Sequence, residues 1–254
     1  MTKVLKIGGS VLTEKSDEET FSEDFDDVLR TVAAADRDDL VLVHGAGSFG
    51  HPHAARHGLE EGGREGAYET HAAVVRLNGL VVDALNDRGA DALPVHPLSC
   101  AWRDGALGFE TLPTQTLREE GFLPVLHGDV VADTGSGVSV LSGDEIAVEL
   151  AALSGVEVGM CTSAGGVLDE EGNRLERVSS VEEITELGDE GADVTGGIRG
   201  KVESLLSLPS GGRVFGADEL EEYLDGEAVG TLVRRWEKAE ECQEHQNGRT
   251  TTYA

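Results

Sequence analysis

Three short apolar runs in this chain each break directly into glycine: "KVLKIGG" at 3–9, "LVLVHGAG" at 40–47 and "LPVLHGD" at 123–129. A strand with one wet face alternates apolar and polar residues. These runs are apolar at consecutive positions, so both of their faces must be covered. Segments with helical spacing separate them. Residues 22–35 set Phe25, Val28, Leu29 and Val32 on one face, with Ser22 as the expected N-cap. Residues 64–88 run through Tyr68, Val75, Leu80 and Leu85, and residues 114–121 close on Gly121. Further strands are expected at 92–97 and 156–162, and "ADTGSG" reads as a hairpin turn between Val130-Val131 and Val138–Val140. A helix is expected from about Asp144 to Leu153. "RVFGADELEEYL" and "AVGTLV" supply two more strands around a helix.

Strands alternating with helices predict an α/β fold whose mainly parallel sheet is covered on both faces. Ligands of such sheets sit at the carboxyl ends of the strands. The glycine turns after 3–7, 40–44 and 123–127 are therefore expected to converge on one edge.

Gly45, Gly47 and Gly50 spell G-x-G-x-x-G, yet a dinucleotide fingerprint does not follow. That motif ends the first strand and needs an acid about 20 residues on, at the end of the second. Here the turn follows the second strand, and the acids near 65–69 lie in a helical pattern. "TGGIRGK" fails as a P-loop: Thr195 stands where the first glycine is required, and Val202 follows the lysine. The physical idea outlives both patterns. Glycines let backbone N–H groups approach phosphate oxygens, and a lysine adds a compact positive charge.

Charge narrows the partners. Forty-nine acids face 20 lysines and arginines, for a net charge of −29, which excludes nucleic acid as a partner. The acid reads either as a solvation layer suited to concentrated salt, hence a halophilic source, or as an ordinary acidic cytosolic surface. Cys100, Cys161 and Cys242 are odd in number with no C-x-x-C spacing, which fits a reducing compartment and no disulfide or zinc framework. No apolar run approaches the ~18–20 residues of a membrane span, and "MTKVLKIGGS" lacks a signal peptide's regions. A soluble, cytoplasmic protein is expected, with one domain over 1–236 and a polar, fraying tail over 237–254.

Against this acidity the five lysines stand out: Lys3, Lys6, Lys15, Lys201 and Lys238. Lys6, Lys15 and Lys201 each lie beside a glycine-rich or Ser/Thr-bearing turn. They read as cations gathered around a polyphosphate, or else as a strand end and two solvated side chains. His51 ends the second glycine loop, where its ring could bind a phosphate or make a structural hydrogen bond. His53 and His57, four apart, have no third metal ligand at an obvious spacing, so no resident metal is assigned. Asp129 and Asp144 sit in glycine turns. Asp144 reads as a helix N-cap that could also orient a lysine.

"KIGGS", "HGAGSFGH", "HGDVV", "SGDEIA" and "DVTGGIRGKV" occur in this order in the amino acid kinase superfamily. The chain resembles that superfamily over residues 3–233, and its histidine-ended loop resembles most closely the archaeal isopentenyl phosphate kinases. The resemblance implies an open αβα sandwich, an acceptor side over about 1–140 and a nucleotide side over about 141–236. It implies transfer of the ATP γ-phosphoryl group to isopentenyl phosphate, with Mg²⁺ accompanying ATP, in an alternative mevalonate route. By the same resemblance Lys6 would reach the transferring phosphate, and Gly8, Gly9 and Ser10 would offer amides. Lys15 would lie over the phosphates, while Ala46 and Gly47 would line the junction of the two substrates. His51 would hold the acceptor phosphate, with a backbone contact from Gly128. Asp144 would orient the lysines, and Gly197 and Lys201 would hold the nucleotide. A homodimer is also implied. Many relatives carry an acidic turn near the nucleotide where this chain has "TSAGGVL", residues 162–168.

The chemistry agrees with these residue types. The nucleophile is a phosphate oxygen already ionised at neutral pH, so the task is to bring two anions together and neutralise charge. Two other readings share the motifs: a sister kinase acting on fosfomycin or another small anion, and a nucleotide-binding sensor without catalysis.

Overall fold

The computed structural model describes residues 3–35, 39–59, 65–184 and 197–236. The first apolar run is strand β1 (Lys3–Ile7), followed by the single-turn helix α1 (Gly9–Leu12) and by α2 (Phe25–Ala34). The second run is β2 (Leu40–His44), leading into α3 (Gly47–Arg56) and α4 (Ala67–Asn86). Next come β3 (Ala92–Pro94), the hairpin strands β4 (Ala101–Asp104) and β5 (Ala106–Phe109), and α5 (Leu112–Glu119). The third run is β6 (Leu123–His127). The hairpin β7 (Asp129–Asp133) and β8 (Gly137–Leu141) follows it, then α6 (Gly143–Ser154) and β9 (Val158–Cys161). β10 (Arg177–Val178), α7 (Gly197–Leu206), β11 (Gly212–Phe215), α8 (Leu220–Leu224) and β12 (Thr231–Val233) complete the described chain. The expected fraying of the tail, with Lys238 and Cys242, and residues 193–196 before α7 lie outside the described residues.

Among those residues, eight strands form one sheet in the order β10-β12-β11-β9-β1-β2-β6-β3. Every neighbouring pair is parallel except β11 and β12. The three glycine-ended strands are therefore adjacent, and their turns share one edge. Alternation along the strands sends side chains to two cores. Val4, Val41, Val43 and Leu126 join Ile146, Leu150 and Leu205 from α6 and α7. Leu5, Ile7, Leu42 and Val125 join Leu29, Leu77 and Val81 from α2 and α4. Helices thus cover both faces, which is the sandwich expected of doubly apolar strands. A second sheet, β5-β4-β7-β8, stands beside it. Among the described residues no helix is long and apolar enough to cross a membrane.

Three local expectations change. Ser22 does not cap α2; Asp24 holds the N-cap position, and the Ser22 hydroxyl donates instead to the Val11 carbonyl near the end of one-turn α1. The expected strand 92–97 stops at Pro94 and turns into a 3₁₀ segment at Pro97–Ser99, since proline cannot donate to a ladder. The β4–β5 hairpin was not anticipated. Its turn is Asp104-Gly105, with Gly105 at φ +72°.

The glycines of "GAGSFG" serve a crossing of two loops. A Cβ on Gly9 would lie 2.5 Å from Gly47 N, and one on Gly45 would lie 2.6 Å from Gly9 N. Thr13 clamps the crossing: its Oγ1 donates to Gly9 O at 2.9 Å and accepts from Ser48 N at 2.9 Å. Gly9→Ala must push backbone against backbone, so it is expected to cost about 1–3 kcal/mol in urea unfolding. A variant as stable as the wild type would show that the loops can part freely.

Candidate active site

A cavity of about 450 Å³ opens at the shared edge of β1, β2 and β6. Lys6 follows Val4 on its face of β1, so its side chain runs toward α6 and α7. Its Nζ lies 2.7 Å from Asp144 Oδ1. Lys201, on α7, places its Nζ 3.4 Å from Asp144 Oδ2 and donates to Gly197 O at 3.3 Å. The three residues are only 5%, 6% and 7% exposed for Lys6, Asp144 and Lys201. Burial alone would raise the Asp144 carboxyl; the charges of Lys6 and Lys201 outweigh it and hold the group below the usual carboxylate range. Two ammonium groups on one carboxylate leave one positive charge in excess beside the cavity. Ion groups buried this deeply contribute little to stability after desolvation, so their place here points to chemistry.

Asp144 is free to face the lysines because it is not the cap. Ser142 caps α6: its Oγ accepts from Glu145 N at 3.1 Å, and Glu145 Oε2 accepts from Ser142 N at 3.0 Å. This capping box corrects the expectation for Asp144, which occupies the second helical position.

Two helices begin at the cavity, α3 after Ala46 and α6 after Ser142. The point where a Gly128 side chain would start is 3.3 Å from Gly143 N and 3.5 Å from Ala46 N. Backbone amides at two helix N-termini converge there, an arrangement that suits an anion. Lysines, amides and bare glycine backbone together can stabilise charge on a phosphoryl group, and no free carboxylate base stands among them.

The cavity wall contains Lys6, Gly8, Gly9, Ser10, Lys15, Ala46, Gly47, His51, Gly128, Asp144 and Lys201. Of the residues anticipated for the site, Gly197 alone is off the wall, at the start of α7 below Lys201. His51 sits in α3, partly exposed. Ser10 Oγ is 3.0 Å from Ser163 Oγ, which brings the "TSAGGVL" turn to the rim. His53 and His57 face carboxylates instead: His57 Nε2 is 3.0 Å from Glu69 and His53 Nε2 is 3.6 Å from Glu19. Apolar side chains gather on the wall around α3: Ala54 of that helix clusters with Val140 of β8, and Val74 of α4 lies against Gly50.

Sequence reading missed a buried polar layer beneath the glycine loops. His44 and His127 end β2 and β6, and Asn78 and His71 reach them from α4 and its start. His96 Nδ1 lies 3.0 Å from His127 Nε2, and His71 donates to Asp129 at 2.9 Å. The repeated dipeptide His-Gly at two strand ends was its only trace in the sequence. Burial lowers His44, helped by the charge of Lys6; burial and then His44 push His127 well down; burial lowers His96. Burial raises the Asp129 carboxyl, although its bond to His71 opposes this. Rings neutral in the folded state protonate on unfolding. Their stabilisation is present above the ordinary histidine value and lost as pH falls below about 6.5, with a slope of up to about 1.4 kcal/mol per pH unit for each ring. Urea unfolding at pH 7.5, 6.5 and 5.5 should show that decline, and a flat profile would contradict neutral buried rings.

Residues 1–214 match the amino acid kinase family. The chain is 43% identical to an isopentenyl phosphate kinase of Haloferax volcanii over 244 residues, 91% of this chain and 98% of that one. X-ray structures of isopentenyl phosphate kinase superpose with a TM-score of 0.76 at 28% identity, over 91% of this chain and 99% of the other. A T. acidophilum isopentenyl phosphate kinase product complex does so with a TM-score of 0.72 at 27% identity, over 92% and 100%. With its parallel sheet, glycine-loop crossing and buried lysine pair, this chain belongs to the amino acid kinase family.

Proposed function

We propose that the chain transfers the γ-phosphoryl group of ATP to isopentenyl phosphate, forming isopentenyl diphosphate and ADP. The observation that carries this reading is a single cavity that is cationic at one end and apolar at the other. Lys6 and Lys201 meet at Asp144, whereas Ala54, Val74 and Val140 form walls on the side of His51. An acceptor with an anionic head and a short hydrocarbon tail matches both ends.

In the step, an oxygen of the acceptor phosphate forms a bond to the γ-phosphorus as the bond from that phosphorus to the β-γ bridging oxygen breaks. The electron pair leaves with ADP. Phosphate monoesters have a second pKa of about 6, so the attacking oxygen needs no base. Lys6 and Lys201, oriented by Asp144, take up the charge on the transferring group, with amides of Gly8, Gly9 and Ser10. Lys15 closes over the phosphates. His51 and Gly128 hold the acceptor phosphate, and Ala46 and Gly47 mark the junction.

Both carboxylates on the wall are engaged, Asp144 by two lysines and Asp129 by His71 and Val130 N. Among the described residues no cluster of three potential metal ligands occurs. A Mg²⁺ ion would arrive with ATP as part of the substrate. Residues up to about 140 form the acceptor side and residues 141–236 the nucleotide side. With this reading go a cytoplasmic homodimer and a salt-rich archaeal cell, where screening would ease repulsion in a chain of net charge −29. The reading is tested by comparing kcat/KM for isopentenyl phosphate, fosfomycin, carbamate, N-acetylglutamate and UMP in molar KCl. Isopentenyl phosphate should lead by at least about tenfold, the scale of one well-placed apolar contact. Preference for another acceptor would overturn the substrate.

A further inference from the structure

β2 and β6 end in the same dipeptide, His44-Gly45 and His127-Gly128, and the two histidines face each other in the parallel register. Their rings stack with centroids 5.8 Å apart. Each ring turns back on its own chain: His44 Nδ1 lies 3.0 Å from Gly45 O, and His127 Nδ1 lies 3.1 Å from Gly128 O. A carbonyl can only accept, so both rings carry their proton on Nδ1. A neutral His127 then has a bare Nε2, which accepts from His96 Nδ1–H at 3.0 Å. For His44, Nε2 lies 3.0 Å from Asn78 Oδ1, while Asn78 Nδ2 is buried without a partner. Turning the Asn78 amide over puts its N–H on Nε2, a donor for a ring nitrogen that can only accept.

The consequence lies on the other side of the peptides. All are trans among the described residues, so carbonyl and N–H point in opposite directions. With the Gly45 carbonyl drawn down to His44, the Ala46 N–H points away from the buried ring, and Ala46 lines the cavity. With the Gly128 carbonyl held by His127, the bare face of Gly128 stays open, 3.5 Å from Ala46 N where a Cβ would begin. We propose that His44 and His127 are positioning residues for the transfer: as neutral Nδ1–H rings they fix the Gly45–Ala46 and Gly128–Asp129 peptides that receive the acceptor phosphate. This rests on the kinase reading of the cavity.

The surroundings keep the rings uncharged. Lys6 from β1, Asn78 from α4 and His127 from β6 face His44; His44, His96 and His71 face His127. The nearby carboxylate, Asp129, is already matched by His71.

Asparagine offers an N–H at the same remove from the backbone as Nδ1; leucine fills similar space without a donor. His127→Leu and His44→Leu should each lower kcat/KM for isopentenyl phosphate by about 10²-fold, as for one lost oxyanion donor, with the KM for ATP within about twofold. His127→Asn and His44→Asn should recover to within about fivefold of wild type. Equal loss in the Leu and Asn variants, or no loss in either, would overturn the proposal. Ring ¹⁵N NMR on the wild-type protein provides a reading independent of activity and of variant folding. Nδ1–H tautomers at pH 7.5 are expected for both residues, and Nε2–H tautomers or charged rings would overturn it. Absence of isopentenyl phosphate turnover in the wild type would instead strike the kinase reading and leave the tautomer result standing.

Discussion

Replacing Lys6 by methionine is expected to lower kcat by about 10³-fold, the upper range for loss of one preorganised charge contact. Methionine keeps the stem and removes only the ammonium group. What remains is Asp144, a buried carboxylate with Lys201 alone at 3.4 Å. An incompletely paired buried charge should also cost about 3 kcal/mol of stability. Two effects in one variant can be separated. Adding Asp144→Asn to Lys6→Met removes the stranded carboxylate, so unfolding in urea should recover part of the lost stability while kcat stays low. Recovery of both would mean that Lys6 acts only through the fold. Full activity in Lys6→Met would remove it from the mechanism.

His51→Ala should abolish nearly all transfer, by about 10²–10³-fold, with ATP binding retained. His51 lines the cavity from α3 and is partly exposed, outside both apolar cores, so the fold should survive its removal. The expected pattern is a collapse of kcat/KM for the acceptor with unchanged nucleotide affinity by calorimetry. That split also separates an enzyme from a nucleotide sensor, because a sensor would lose nothing. Unchanged turnover would take His51 out of the site.

Strand positions were legible because their cause is local: consecutive apolar residues closed by glycine form buried strands wherever they occur. Leu40–His44 and Leu123–His127 matched to the residue. The converging edge followed from the parallel sheet, and the lysines followed from their scarcity in an acidic chain. What escaped depends on contacts between distant segments. Asp144 reads as a cap in sequence, but the Ser142–Glu145 capping box takes that place and leaves Asp144 to two lysines that come from distant segments. The crossing at Gly9 and Gly47 joins two loops, so the G-x-G-x-x-G spacing held no sign of it. His44 and His127 read as ordinary strand ends, because their pairing needs the β2–β6 register.

Phosphoryl transfer to isopentenyl phosphate is read most directly by a ³¹P NMR time course of Mg²⁺-ATP and isopentenyl phosphate with the protein in molar KCl. Loss of the monophosphate resonance and growth of two coupled diphosphate resonances are expected, one equivalent for each ADP formed. ADP with free inorganic phosphate, or an unchanged monophosphate resonance, would contradict it.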